Sequence, residues 1–488
     1  MNGLLLTGCE IDGVPELDVR VRNGVVAEVA PHLPTDGDDV LAAAGGALLP
    51  GLHDHHLHLM AMAAALESIP CGPPAVADLA ALGSALRAAS RAAPAGAWLR
   101  GVGYHESVAG VLDADVLDTL VADNPVRVQH RSGAMWVLNR AALRATGLEH
   151  AAPSGRVFRA DRALGARVPP VALDLAEVGR RLAAVGVTGV TDATPDLDGH
   201  ALDLLTAAVA RGDVPQRVMV LGAAHVPEAG RSRLTVGPWK LVLDETDEGF
   251  APVAIADAIA AAHAVGRPVA IHCVSRVEVV VAIDALSRSG SVPGDRLEHA
   301  SVLPVGLEHR LHELGVAVVT QPNFIAERGE AYAQDVDAED LEVLYRCQTL
   351  LDAGVAVAGG TDAPFGTADP WRAMRAAVER RSDRGRLLGE QEAVTPRAAL
   401  DLFLSDLSAP GGATRRVRAG VPADLCLLRE PLAGALQTLD AAQVRATIIG
   451  GRVVHDDSTQ SEELSSQRAR TARSPSQLKR VSSTGNLL

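Results

Sequence analysis

The chain has 488 residues, 48% hydrophobic and 22% charged, with 46 glycines and 28 prolines. This is the composition of an ordinary globular protein, and it excludes fibrous and largely unfolded chains. A formal net charge of −15 argues against broad contact with nucleic acid or anionic membrane, because both need Lys- and Arg-rich surfaces.

The first apolar run, Leu4-Leu5-Leu6-Thr7-Gly8-Cys9, is too short for a signal peptide and no cationic stretch precedes it, so it reads as a strand. Residues 1–50 alternate short apolar pieces with Gly and Pro punctuation, the pattern of small antiparallel strands. From 51 to 414 short apolar strands alternate with Ala- and Leu-rich helical stretches, the signature of βα units on a parallel sheet. The strand candidates are Gly51–Leu59, Gly186–Thr194, Arg217–Gly222, Trp239–Asp244, Pro268–Cys273, Arg296–Ala300, Val316–Gln321 and Val355–Asp362. Eight is the number that closes a (β/α)8 barrel, so the expected class is α/β with a TIM-type barrel.

Residues 60–185 separate the first two strands and carry strand-like pieces of their own, Trp98–Tyr104 and Val126–Gln129, which predicts an insertion over the barrel mouth. Strand alternation returns over 415–456, with a Gly450-Gly451 turn, and this segment is expected to rejoin residues 1–50 in one domain. Residues 457–488 end in a Ser-rich stretch with five cations and no aromatics, which predicts a disordered basic tail without assigned function. The most apolar stretch, Ala251 to Val274, is interrupted by Asp257, His263 and Arg267, so no membrane span is expected. Five dispersed cysteines without a Cys-x-x-Cys pair read as reduced thiols of a cytoplasmic protein.

The strongest chemical signal is His53-Asp54-His55-His56-Leu57-His58. Side chains alternate on a strand, so Asp54, His56 and His58 share one face, and two imidazoles so placed can chelate one divalent metal. A histidine cluster on a surface loop would give the same string. Ionisable residues then recur on later strands: Lys240, His272, His299 and Asp362. Three of the four sit at or next to C-terminal strand ends, where barrel active sites are built. Singly, His272 could be a core histidine and Lys240 a snorkelling surface group; recurrence on four strands argues for a site.

Lys240 carries a second argument, because only Lys240 and Lys479 among the 45 cationic residues are lysines. A lysine kept within a strand of so Arg-biased a chain points to a role that guanidinium cannot fill, such as losing its proton when buried.

These residues, in this order, resemble the metal set of the amidohydrolase superfamily. Trp98-Leu99-Arg100-Gly101-Val102-Gly103-Tyr104, Asp123-Asn124-Pro125-Val126, Arg296-Leu297-Glu298-His299-Ala300, Gln321-Pro322 and Gly360-Thr361-Asp362-Ala363-Pro364 look like its YtcJ-like branch, which includes N-substituted formamide deformylases. The resemblance implies a distorted barrel beside a β-sandwich built from both chain ends. It also implies a metal centre of one or two ions. By that analogy His56, His58 and Asp362 hold the more buried ion and His272 and His299 the more exposed one. A carboxylated Lys240, a carbamate formed with carbon dioxide, bridges them. The N/O ligand set suits zinc, with cobalt, manganese, iron and nickel as alternatives.

Zinc lowers the pKa of bound water to about 7. Asp362 is then the expected catalytic residue, general base toward that water and general acid toward a leaving nitrogen. The expected reaction is hydrolysis of a non-peptide C–N bond in a small N-acyl, N-formyl or cyclic amide. Deamination, ester hydrolysis, or a barrel that has lost catalysis and only binds are the competing readings. A small-molecule amide is the expected partner; no nucleic acid or membrane is, and a homodimer stays open. Two departures from the branch alter the pocket and leave the metal set intact: Ser132-Gly133-Ala134 stands in place of an Asp-Gly-His segment, and Ser275-Arg276 in place of Gly-Asp-Arg. Tyr104, His105, Trp136 and Arg276 are the candidate substrate-lining residues, whereas Cys273 should point away from its neighbour His272.

Overall fold

The computed structural model describes residues 3–159, 161–225, 233–243, 245 and 250–458. The expected disordered tail falls, from 459 onward, outside the described residues. The protein is α/β and its contacts divide it into two compact units.

The smaller unit gathers residues from 3–51, 417–435 and 442–458. Strand Leu4–Ile11 pairs antiparallel with Val14–Arg22 and parallel with Asp39–Ala42, and Val25–Ala30 completes a four-stranded sheet. In a second four-stranded sheet Leu48–Pro50 pairs with Leu425–Leu428, which pairs in turn with Val444–Ile449 and its neighbour Arg452–Asp456. Alternating apolar residues from both sheets, among them Leu6, Val19, Val26, Leu48, Leu425, Leu427 and Ile448, meet in one buried cluster.

The larger unit comprises residues 52–416 and 436–441. Two parallel sheets carry it. One orders Leu52–Leu57, Val187–Asp192, Arg217–Val220 and Leu234–Val236 side by side; the other orders Trp239–Val242, Val269–Cys273, Arg296–His299, Ala317–Thr320 and Val357–Gly359. Gly237 and Pro238 alone separate Leu234–Val236 from Trp239–Val242. Proline has no N–H for a sheet ladder, so the chain changes sheets there. The first and last strands also meet: Asp362 N–H donates to His56 O at 2.7 Å and His58 N–H to Ala363 O at 2.8 Å. Helices return the chain between strands, and polar caps start them; Ser275 and Glu278, for example, form a reciprocal capping box on Arg276–Ser289.

Between the first two strands lies a separate five-stranded sheet, in the order Arg156–Phe158, Met135–Leu138, Val126–His130, Leu99–Tyr104, Ile69–Pro70. It has its own apolar clusters, one around Leu82, Leu86, Leu117 and Val128 and one around Trp136, Leu138 and Leu143.

Candidate metal centre

Six side chains singled out from the sequence come from five strands or their ends in the larger unit. His56 and His58 stand at the end of Leu52–Leu57, and Asp362 follows Val357–Gly359. His56, His58 and Asp362 each bring one ligand atom within 4.8 Å of the others. Asp362 Oδ1 lies 3.2 Å from His58 Nε2 and 3.6 Å from His56 Nε2. The His299 ring centroid is 4.6 Å from that of His56 and 4.6 Å from that of His272. Lys240 is buried, and the electrostatic neighbours acting on it include Glu298, Asp362 and Cys273.

The other nitrogen of three imidazoles is already engaged. His56 Nδ1 makes a short hydrogen bond to Glu298 Oε2, and Glu298 Oε1 accepts from Arg296 Nε at 2.6 Å. His58 Nδ1 bonds Thr194 Oγ1 at 3.1 Å, and His299 Nδ1 bonds Gln321 Oε1 at 2.7 Å. Each partner fixes a ring orientation and leaves Nε2 as the available lone pair, the arrangement of histidines that bind metals.

Burial disfavours the charged form of His56, His272 and His299. His272 is held at about 3, mainly by burial and then by Lys240, and His56 and His299 lie well below the ordinary histidine value for the same first reason. Burial also lowers Lys240 below the usual ammonium range, and among the described residues its Nζ has no hydrogen-bond partner. A partnerless amine at full burial is costly. Together with the neutral imidazoles and a carboxylate, it is the donor set that a divalent cation satisfies, so the residues fit the metal that the sequence implies.

The backbone is strained where the chemistry sits. His299 has φ +69° and Asp362 φ +55°, left-handed values that cost a non-glycine residue of order 1 kcal/mol or more. Asp54 holds the second turn, accepting from Thr361 N at 3.0 Å and Thr361 Oγ1 at 2.6 Å. Burial pushes Asp54 up to about 7 against these hydrogen bonds. Gly360 is required by space, since a Cβ there would lie 2.7 Å from His56 Cβ and 2.8 Å from His56 N.

The expected substrate-lining residues separate. Tyr104 is fully buried in the core of the inserted sheet and its hydroxyl donates to Gly110 O at 2.8 Å, so its side chain is committed to packing. Trp136 is likewise packed, with the guanidinium groups of Arg127 and Arg100 at 5.0 and 5.2 Å from its ring centroid. The expectation that these two line the substrate is corrected: an aromatic beside a motif was filling the insertion's own core. Arg276 begins its helix in a short ion pair with Asp340, and His105 Nδ1 bonds Ser107 Oγ at 2.9 Å. Cys273 is buried with Sγ toward the Ile271 and Glu298 carbonyls. Glu298, Thr194 and Asp54 had no role assigned from the sequence, although Glu298 stood inside a quoted motif.

The profile of the amidohydrolase family matches residues 39–455. The chain belongs to the amidohydrolase family, and hydrolysis is the chemistry that membership carries. Among its relatives is the N-substituted formamide deformylase of Arthrobacter pascens, 26% identical over 89% of this chain and 94% of that protein. YtcJ of Bacillus subtilis (strain 168) is 24% identical over 85% of this chain and 90% of its own. A metal-dependent hydrolase of Pyrococcus horikoshii OT3, described as uncharacterized, shares the fold with a TM-score of 0.68 at 19% identity, over 93% of this chain and 100% of that one.

Proposed function

We propose that the protein is a metal-dependent amidohydrolase acting on a non-peptide C–N bond of a small molecule, at the cluster of His56, His58, Lys240, His272, His299 and Asp362. The observation that carries the reading is the convergence of His56, His58 and Asp362 within 4.8 Å, beside a buried lysine amine with no partner among the described residues. A second support is the similarity to a deformylase of N-substituted formamides. In this reading the two parallel sheets close as a distorted barrel through the His56–Asp362 and His58–Ala363 backbone hydrogen bonds, and the two sheets of the smaller unit form a β-sandwich over their common cluster. Five free, buried cysteines suit a reducing cytoplasm.

His56, His58 and Asp362 would hold the first divalent ion, and His272 and His299 a second, with zinc the best match to the N/O donors. When bound, such an ion lowers the pKa of water from 15.7 to about 7 and polarises a carbonyl oxygen. Lys240, whose ammonium burial disfavours, would as the free amine form an N–C bond to carbon dioxide, lose one N–H proton to solvent, and offer the resulting carbamate as a further oxygen ligand. Asp362 carries the proton. Its carboxylate accepts one from the attacking water and returns it to the nitrogen as the C–N bond breaks, general base and then general acid. Glu298, Thr194 and Gln321 hold three imidazoles in place for this purpose.

The test is a panel of simple amides, N-alkylformamides and lactams offered to metal-replete protein, with amine and carboxylic acid release measured together. Stoichiometric release of both from at least one compound supports the reading. No hydrolysis across the panel, or ammonia released without acid, overturns it.

A further inference from the structure

A cavity of about 80 Å³ opens beside the candidate metal centre, lined by Arg100, Gln129, His130, Arg131, Pro364 and Phe365 with smaller residues. Its wall is shared with the site, because Phe365 follows Asp362 by three positions and its ring centroid lies 5.4 Å from that of His58. The inserted sheet is close against that wall: a Cβ on Gly133, whose φ is +76°, would be 2.7 Å from the Phe365 ring.

Most polar groups facing this cavity are already committed. Arg100 Nη1 donates to Ala64 O at 3.0 Å and also to Ser68 Oγ. Gln129 Nε2 donates to Gly133 O at 3.2 Å, and His130 bonds Glu106 at 2.9 Å and Ser132 at 2.7 Å. Arg131 differs: among the described residues its guanidinium has no hydrogen bond and no ion pair. The acids that act on it electrostatically are engaged elsewhere, Glu106 on His130 and Asp335 3.9 Å from His105. A second guanidinium, Arg328, also acts on Arg131. Arg328 stacks at 3.8 Å on the Phe324 ring and donates through Nη2 to Phe365 O at 2.7 Å; among the described residues its other donors make no hydrogen bond, and Asp362 and Glu327 act on it electrostatically. In a chain of net charge −15, a half-buried guanidinium without a carboxylate, next to another, is a preformed site for an anion, and the planar fork matches a carboxylate.

We infer that Arg131 binds a carboxylate of the substrate, so that the small amide hydrolysed here is itself an acid of the N-acyl or N-formyl amino acid type. This deepens the functional reading above and rests on it for the reaction, but binding can be measured without turnover.

The experiment is isothermal titration calorimetry of the metal-replete full chain with N-acetylglycine and with its neutral counterpart N-acetylethanolamine, in wild type, Arg131→Gln and Arg131→Lys. Wild type is expected to prefer the carboxylate about tenfold or more, the worth of a charge-assisted contact. Arg131→Gln abolishes that preference without changing affinity for the neutral compound or the melting temperature, and Arg131→Lys restores part of it. No preference in wild type overturns the inference. So does a preference that survives in Arg131→Gln, because the carboxylate is then held by the metal or elsewhere. If Arg131-dependent binding is found and neither compound is hydrolysed, the anion site stands and the hydrolase reading fails for these amides. If neutral amides are hydrolysed and no carboxylate preference exists, the reverse holds.

Discussion

Replacing Glu298 by Gln separates two roles of one buried carboxylate. Glu298 bonds His56 Nδ1 through one oxygen and Arg296 through the other, 2.6 Å from Nε. Arg296 is 1% exposed and its two terminal nitrogens have no partner among the described residues, so nothing else is positioned to neutralise it. Removing one member of a buried ion pair costs about 3–5 kcal/mol. Losing the charged partner of a metal-binding histidine costs about 10- to 100-fold in metal affinity. Glu298→Gln is therefore expected to lower both the urea midpoint of the metal-free protein and its zinc affinity in chelator competition. The double variant Arg296→Met with Glu298→Gln removes the orphaned cation. It should recover most of the stability, since an apolar replacement of a buried pair is often neutral, and it should leave metal affinity reduced. Recovery of both properties in the double variant, or loss of neither in the single one, would refute the link between Glu298 and His56.

Lys240→Met is expected to fold at least as well as wild type without metal, because an apolar end replaces a buried amine that has no partner, while metal content and hydrolysis fall; unchanged metal content removes Lys240 from the site. Thr361→Val strips a hydroxyl from buried Asp54, an expected loss of about 1–3 kcal/mol in chemical denaturation; an unaltered midpoint would mean that the Asp362 turn does not depend on that bond. The pH dependence follows from burial, which holds His55 and His272 at about 3 and His53, His56 and His299 well below their ordinary value. A folded-state pKa below the unfolded one means that the unfolded chain takes up protons first, so stability is lost as pH falls from about 6.5 toward 3. Asp54, raised to about 7, and Glu278, Glu327 and Asp369, also raised by burial, act in the opposite sense over the range from their ordinary values upward, while His105, His130 and His455 are lowered and add to the first sense. The urea midpoint of metal-free protein should therefore fall on acidification below about pH 6.5, and a rising midpoint would contradict the assignment.

Each of the eight expected parallel strands overlaps an observed one, because each is a short apolar run bounded by turn residues, a local signal. What was not local was missed. Leu234–Val236, just before Gly237-Pro238, was not expected as a strand, and the inserted sheet recruits Ile69–Pro70, Met135–Leu138 and Arg156–Phe158, pieces too short to show a period. The ionisable residues at strand ends were legible from residue type and spacing. Their partners were not: Glu298 lies 242 positions from His56, and Thr194 136 positions from His58. Such contacts depend on which strands become neighbours and which way each side chain leaves the sheet. Tyr104 and Trp136 show the converse, since adjacency to a motif says nothing about which core an aromatic ring fills.

The most direct measurement is metal content per chain by inductively coupled plasma mass spectrometry, on wild type and on His56→Ala and Asp362→Asn variants purified without chelators. The account predicts one to two transition-metal ions per chain in wild type, about two if Lys240 bridges a pair, and a marked loss in both variants with the melting profile of a folded protein retained. Wild-type protein with no metal that added zinc or manganese fails to load, or variants that keep the full complement, would contradict it.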